Sequence, residues 1–327
     1  VTPLITHQPY CNVMAMVTEN DHDDWTPSKA ASECLRLLCN CCGNEVMNHC
    51  LVFISQNIRH ENWKMRHAAI MSLASNLEGP DKVHTRQLVM SLFQIAAELL
   101  EDQCALIRQG SSWTISYVTE IFPEMMLENE FFSSFMNISL SYLLKEYPLV
   151  EQGCAAIMNI IPALFDPTKV HNEISSSYFA QLLERFTILT DLNSPLTPNA
   201  LHIAFQAFME LISHTPQDCS KMLENTLVIV LERMQSLTAL SGEFSSGINL
   251  TKSLLCSTLN SLLLKTDPIL LNQISDQVVT LLLHLLQSPE VQEDALMAIS
   301  SMISALGQGF EKYIPTLFPF LSLSILN

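Results

Sequence analysis

The sequence predicts an all-α fold in which helical hairpins follow one another as an α-α superhelix, and three observations carry that reading. Apolar residues recur at the 3.6-residue helical period almost throughout. The pattern is broken about every 16 to 22 residues by Pro, Asp, Asn or Gly. Glycine is scarce, 8 in 327 residues, where about 7% is typical, which leaves too few left-handed positions for a loop-rich β fold or a glycine-cradled nucleotide site. Forty-eight per cent hydrophobic against 15% charged residues is a core-forming composition, long enough for two ordinary domains or one elongated array.

In chain order, a first helix opens at Pro27, and pairs follow over 44–59 with 61–77, 81–100 with 103–122, and 128–146 with 148–165. Further pairs run over 174–192 with 198–213, 217–240 with 248–265, and 268–287 with 289–306. Pro27, Pro148, Pro198, Pro268 and Pro289 lie at or near first-turn positions, where a missing N–H costs nothing, and Thr26, Asp267 and Ser288 precede three of them as candidate caps. In the first helix Cys34, Leu38, Cys41 and Cys42 fall at i, i+4, i+7 and i+8, the spacing of one apolar stripe. That spacing favours packed thiols over a zinc site, which wants two separated ligand pairs. Most of the ten cysteines lie in helical patterns, which fits a reducing compartment, cytosol or nucleus.

The second helix of several pairs opens alike: Met65-Arg66-x-x-Ala69, Ile107-Arg108-x-x-Ser111, Val150-Glu151-x-x-Cys154 and Val291-Gln292-x-x-Ala295. Arg66 to Arg108 is 42 residues and Arg108 to Glu151 is 43. A small fourth residue lets neighbouring helices approach closely, and an apolar–Arg start at a period of about 40–47 residues is the HEAT pattern, unlike the 34-residue tetratricopeptide period. We expect one array over 1–327, of about seven repeats plus a partial one, with the second helices lining a concave surface. A start at Val1-Thr2-Pro3 and a stop at Ile325-Leu326-Asn327 inside an apolar pattern read as an excised segment of a longer chain.

No phosphate loop, H-E-x-x-H, G-x-S-x-G or EF-hand loop is present, so no catalytic, cofactor-binding or metal-binding residue is assigned and an enzyme is not expected. No run approaches the ~18 apolar residues of a membrane span. With 33 acidic against 16 basic residues the formal charge is −17, which argues against a nucleic-acid partner and for a basic one. Two features suit such a partner. Asp21, Asp23 and Asp24 form an acidic loop closed by Trp25, and Trp63 and Trp113 lie on second helices, Trp63 at its helix start. Aromatic faces among carboxylates would give each incoming Arg or Lys about 0.5–2 kcal/mol of cation–π attraction besides charge pairing.

These residues resemble the importin beta (karyopherin beta) family of nuclear import receptors. The matching stretches include Asp23-Asp24-Trp25-Thr26-Pro27-Ser28-Lys29-Ala30-Ala31, Trp63-Lys64-Met65-Arg66-His67-Ala68-Ala69, Leu77-Glu78-Gly79-Pro80 and Val291-Gln292-Glu293-Asp294-Ala295-Leu296-Met297-Ala298. The resemblance spans the chain in one register and corresponds to the middle of the receptor, from its acidic-loop repeat to about the fifteenth. It implies traffic between cytoplasm and nucleus through nuclear envelope pores, carrying the basic adaptor helix of importin alpha or basic cargo signals. It also implies release by Ran-GTP, and phenylalanine–glycine nucleoporins bound mainly outside this segment. By the same resemblance Trp25 and Trp113 receive the adaptor helix, and Asp21, Asp23 and Asp24 touch both adaptor and Ran. Ala156, His67 and Gln109 depart from the family, standing where it has a tryptophan and two aspartates. The alternative from another class is a HEAT scaffold for an enzyme complex, such as a phosphatase scaffold subunit.

Overall fold

A computed structural model describes residues 27–145, 149–166, 173–239 and 246–326, and among them there is no strand. The helices are α1 (Pro27–Cys42), α2 (Asn44–Asn57), α3 (Trp63–Ser75), α4 (Lys82–Leu99), α5 (Ala105–Ile121), α6 (Asn129–Tyr142) and α7 (Leu149–Leu164). They continue as α8 (Glu173–Leu189), α9 (Pro198–Ser213), α10 (Met222–Ala239), α11 (Ser246–Leu263), α12 (Pro268–Leu285), α13 (Gln292–Leu306) and α14 (Ile314–Leu326). Short helical turns at Pro123–Met126, Gln217–Cys219, Pro289–Val291 and Gly307–Tyr313 join some of them.

Four helix starts are capped by side chains, Asp267 among them as expected, while Thr26 lies outside the described residues. Asn62, Asp81, Thr197 and Asp267 each accept a backbone N–H from the first turn of α3, α4, α9 and α12, at about 1 kcal/mol per cap. Ser288 does not cap with its side chain. A 3₁₀ turn intervenes before α13, and the Ser288 carbonyl takes the Val291 N–H instead. The stretch over 217–240 likewise divides into a 3₁₀ turn and α10.

Two compact units divide the chain, Val1–Ile160 and Ile161–Asn327. In the first, α2 packs on α3 and α4 on α5 as hairpins, while the odd-numbered helices α1, α3 and α5 lie side by side. Leu73 of α3 and Leu77 just after it, Val89, Phe93 and Ala96 of α4, and Thr114, Ile115 and Val118 of α5 meet in one core. In the second unit α8 pairs with α9, α10 with α11 and α12 with α13, and α9, α11 and α13 lie side by side. Phe186 stacks on Phe208 there, with ring centroids 6.2 Å apart. The small anchors Ala69, Ser111, Cys154 and Ala295 are all fully buried, as close helix approach requires. Gly110 shows how close it is: a Cβ there would stand 3.2 Å from Ile70 Cγ2 of α3.

One apolar stripe lies elsewhere than expected. Cys34, Leu38, Cys41 and Cys42 are exposed, whereas Ala31, Leu35 and Cys39 face inward. Helix α1 carries two apolar stripes, and the inward one brings Ser32 and Cys39 against Ser75 and Asn76, at and just past the end of α3. Ser75 Oγ donates to the Ser32 carbonyl and Cys39 Sγ to Asn76 Oδ1. Burial pushes the Cys39 thiol up to about 12.

Polar bridges tie each layer to the next. Arg66 grips Asp102 with Nε and Nη2 at 2.8 and 2.9 Å, and Nη1 donates to the His60 and Glu61 carbonyls. Both side chains are nearly buried, 16% and 10% exposed. In the second unit Arg233 donates to the carbonyls of Thr187 and Thr190 and to Asp191. Desolvation pushes the Asp102 carboxyl upward, but the Arg66 hydrogen bond, the Cys104 N–H and the charges of Arg66 and Arg108 together hold it below its ordinary value.

Asp102→Ala should cost about 3 kcal/mol, because it strands a nearly buried guanidinium, read as a lower urea midpoint for the first unit. Because the folded carboxyl titrates below the unfolded one, this stabilisation is present above about pH 4 and is lost as pH falls through the folded value. Asp102→Asn should remove that part of the acid dependence. Gly79 sits at φ 92°, where a Cβ would stand 2.1 Å from the Cys39 carbonyl oxygen. Gly79→Ala should therefore cost about 2–5 kcal/mol from strain and overpacking, and an unchanged midpoint would contradict the close approach of that loop to α1.

Candidate partner-binding surface

Of the residues the sequence singles out, Asp21, Asp23, Asp24 and Trp25 lie outside the described residues. Trp63 and Trp113 are described, and both are half-buried. Trp63 is the first residue of α3, just after its Asn62 cap, and Lys64 Nζ lies 5.8 Å from its ring centroid. Part of its cation-binding capacity thus already faces a cation of the same chain. Trp113 lies midway along α5 and stacks on Tyr117 one turn later, with centroids 5.5 Å apart and planes 10° apart.

The structure does not bring the two tryptophans together. Gly110 lies level with Ile70 and Met71, and Thr114, Ile115 and Val118 lie level with Leu73 and Leu77. Trp63 is therefore about ten residues, roughly 15 Å, before the level of Trp113 along the helix direction.

Trp113 belongs instead to a set the sequence reading did not assemble. The Tyr117 hydroxyl faces the Glu78 carboxylate, and burial and this interaction push the phenol up while the interaction helps to hold Glu78 below the usual carboxylate range. Glu78 also accepts from Arg36 Nη1 at 2.9 Å and Asn40 Nδ2 at 3.3 Å, both on α1. Arg36 binds Glu33 as well, through Nε at 2.9 Å and Nη2 at 2.6 Å. Glu78 is delivered by the Glu78-Gly79-Pro80 turn, whose positive-φ glycine lets the loop close onto the Cys39 carbonyl. Two signals could have found the set: an aromatic at i+4 from Trp113, and a carboxylate beside a glycine forced into close backbone contact.

The three family departures fall in different surroundings. Gln109 is exposed at the start of α5. His67 is half-buried on α3, and burial drives its imidazole down to about 4, so it is neutral at physiological pH and does not replace an aspartate's charge. Ala156 is 3% exposed, so in this fold its position presents no side chain to the surface.

Among the described residues no group of His, Cys, Asp or Glu is arranged to hold a metal, and no helix is long and apolar enough to cross a membrane. The face formed by α1, the end of α3 and α5 offers an aromatic stack and carboxylates, with no nucleophile–base pair among the contacts described.

Comparison with known proteins agrees with the fold. Importin subunit beta-1 of Schizosaccharomyces pombe is 26% identical over 317 residues, covering 94% of this chain and 36% of that protein. A solved Kap95:Nup1 complex superposes with a TM-score of 0.84 at 24% identity, covering 98% of this chain and 36% of that one. A solved structure of Kap95p with RanGDP gives a TM-score of 0.83 at 22% identity, covering 98% and 37%. The chain thus spans a little over a third of the length of the relatives it matches. The importin beta family is one of transport receptors rather than enzymes. A family model described as "Importin subunit beta-1-like, TPR repeats" matches residues 135–327, 193 of the 327, and the chain belongs to that family.

Proposed function

We propose that this chain is the part of a nuclear import receptor that holds a basic adaptor helix, that of importin alpha, or basic cargo signals, on the face of its odd-numbered helices. The observation that carries the reading is the Trp113–Tyr117 stack with Glu78 at its edge, on a chain of formal charge −17. A guanidinium lying over an indole gains cation–π attraction, and a carboxylate beside the ring pairs with its N–H groups. In the whole receptor Ran-GTP releases the cargo, and nucleoporins bind mainly outside this segment. Solved relatives with Nup1 and with RanGDP support that assignment of partners. The place of action is then the cytoplasm, the nucleus and the pores between them. As a single HEAT array from the middle of such a receptor, the chain performs the gripping step and leaves other contacts to the repeats around it.

Trp113→Ala should weaken an arginine-rich helical peptide about five- to thirtyfold, an order set by losing about 1–2 kcal/mol of partly desolvated cation–π contact. Trp63→Ala should cost less, because Lys64 already occupies part of its neighbourhood. Fluorescence anisotropy titration checks both, and equal affinity of the folded variants and the wild type would remove the Trp113 assignment.

The acidic loop yields a kinetic expectation. Replacing Asp21, Asp23 and Asp24 by Asn should slow association of the peptide and of Ran-GTP and flatten the salt dependence, with a smaller effect on dissociation. Stopped-flow mixing across a salt series measures this, and an unchanged on-rate and salt slope would make the loop a solvated connector only.

A further inference from the structure

Glu78, the carboxylate at the edge of the Trp113–Tyr117 stack, is already engaged from within the chain. Arg36 and Asn40 donate to the same oxygen, Oε2, and the Tyr117 hydroxyl faces the carboxylate as well. The same guanidinium forks onto both oxygens of Glu33. One internal arginine thus serves two carboxylates with the planar fork geometry that an arginine-rich ligand would itself use. Arg36, Glu33 and Glu78 are 31%, 40% and 36% exposed, so solvent and an incoming cation can both reach them. With Arg36 in place the local charge is −1 rather than −2.

We infer that Arg36 is an internal occupant of the acidic subsite beside Trp113, a stand-in for a ligand arginine that lowers the affinity of this face and must swing aside when a ligand takes Glu78. The inference rests on the reading that this face binds a basic helix. Exchange of one guanidinium for another on the same carboxylate changes little in free energy, so in the native chain Glu78 adds little to net binding. The aromatic stack and the long-range charge then carry it. Arg36 holds Glu78 through Nη1 alone, so an incoming guanidinium that engages both oxygens of Glu78 competes with it better than a lysine, which lacks the planar fork.

The test titrates the full 327-residue chain with a labelled arginine-rich helical peptide, comparing wild type, Arg36→Met, Arg36→Lys, Glu78→Gln and the Arg36→Met/Glu78→Gln double variant. Methionine keeps an unbranched stem on the helix and removes the cation. Arg36→Met should bind roughly three- to tenfold tighter, as expected for unmasking partly exposed charge pairs, and with a steeper salt dependence. Glu78→Gln alone should change affinity less than twofold, whereas in the Arg36→Met background it should abolish the gain. Arg36→Lys, which keeps the charge, should stay close to wild type.

If Arg36 only staples α1 to the end of α3, Arg36→Met will lower the urea midpoint and leave affinity unchanged or weaker. That result with a folded variant and a binding wild type overturns the inference alone. Binding by Arg36→Met but not by wild type supports it in its strongest form. Failure of every form to bind the peptide removes the basic-helix reading, and the inference with it.

Discussion

No helical hairpin in this chain can bury its apolar face alone, and that constraint dictates the rest. Each pair must lean on the next, so the second helices carry residues small enough for backbones to approach: Ala68 and Ala69 on α3, Gly110 and Ser111 on α5, Ala295 and Ala298 on α13. Close packing gains dispersion and apolar burial along each interface and leaves stability as a sum of neighbouring contacts. A bulky residue at any of these positions would be felt by both adjoining layers. The scarcity of glycine follows as well, since helices joined by short turns need few left-handed residues, and Gly43, Gly79 and Gly307 supply those observed at positive φ.

Apolar stacking does not fix register by itself, and the polar bridges do. They join residues 36 to 46 apart, one repeat away: Arg66 to Asp102, Arg86 to Glu128, Arg233 to Thr187 and Asp191, and Ser257 to Asp294. The bridges have an electrostatic consequence. Arg36, Arg59, Arg66, Arg86, Lys145, Arg233 and Lys312 all engage carboxylates within or between layers. With 16 cations against 33 acids, a chain that spends its arginines on holding repeats together keeps its acidic surplus for solvent and partners. Fold cohesion and attraction for a basic chain therefore draw on one pool of charge, and Arg36 stands where the two demands meet.

The helical class, the pairing and the forty-residue anchors were legible because they are periodic, and periodicity survives in a one-dimensional string. Trp63 at a helix start and the buried Ala69, Ser111, Cys154 and Ala295 follow from the same logic. What was not legible depends on which of two similar stripes turns inward. The cysteine-rich stripe of α1 has the right spacing, yet the Ala31–Leu35–Cys39 stripe lies inward, beside the Ser75–Ser32 and Cys39–Asn76 hydrogen bonds. Nor could spacing place Glu78 beside Tyr117, since they are 39 residues apart and meet through a turn whose conformation rests on one glycine. Trp63 and Trp113 share a place on second helices, but the level at which adjacent helices meet is not written in the spacing, and it sets them about ten residues apart along the helix direction.

The Trp113 surface is built from three successive layers, α1, the end of α3, and α5, and inherits its geometry from the interfaces between them. Glu78, in the turn after α3, accepts from Arg36 of α1 and faces Tyr117 of α5. A ligand cation that takes Glu78 from Arg36 removes a tie between the first two layers and leaves the second tie in place. On the proposed reading, binding at this face is coupled to the register of the repeats, because the carboxylate that a ligand arginine would take is the one that fastens the layers. In an array stabilised by nearest-neighbour contacts, that coupling is local by construction: it reaches adjoining repeats through the bonds just named and fades where no shared group carries it further.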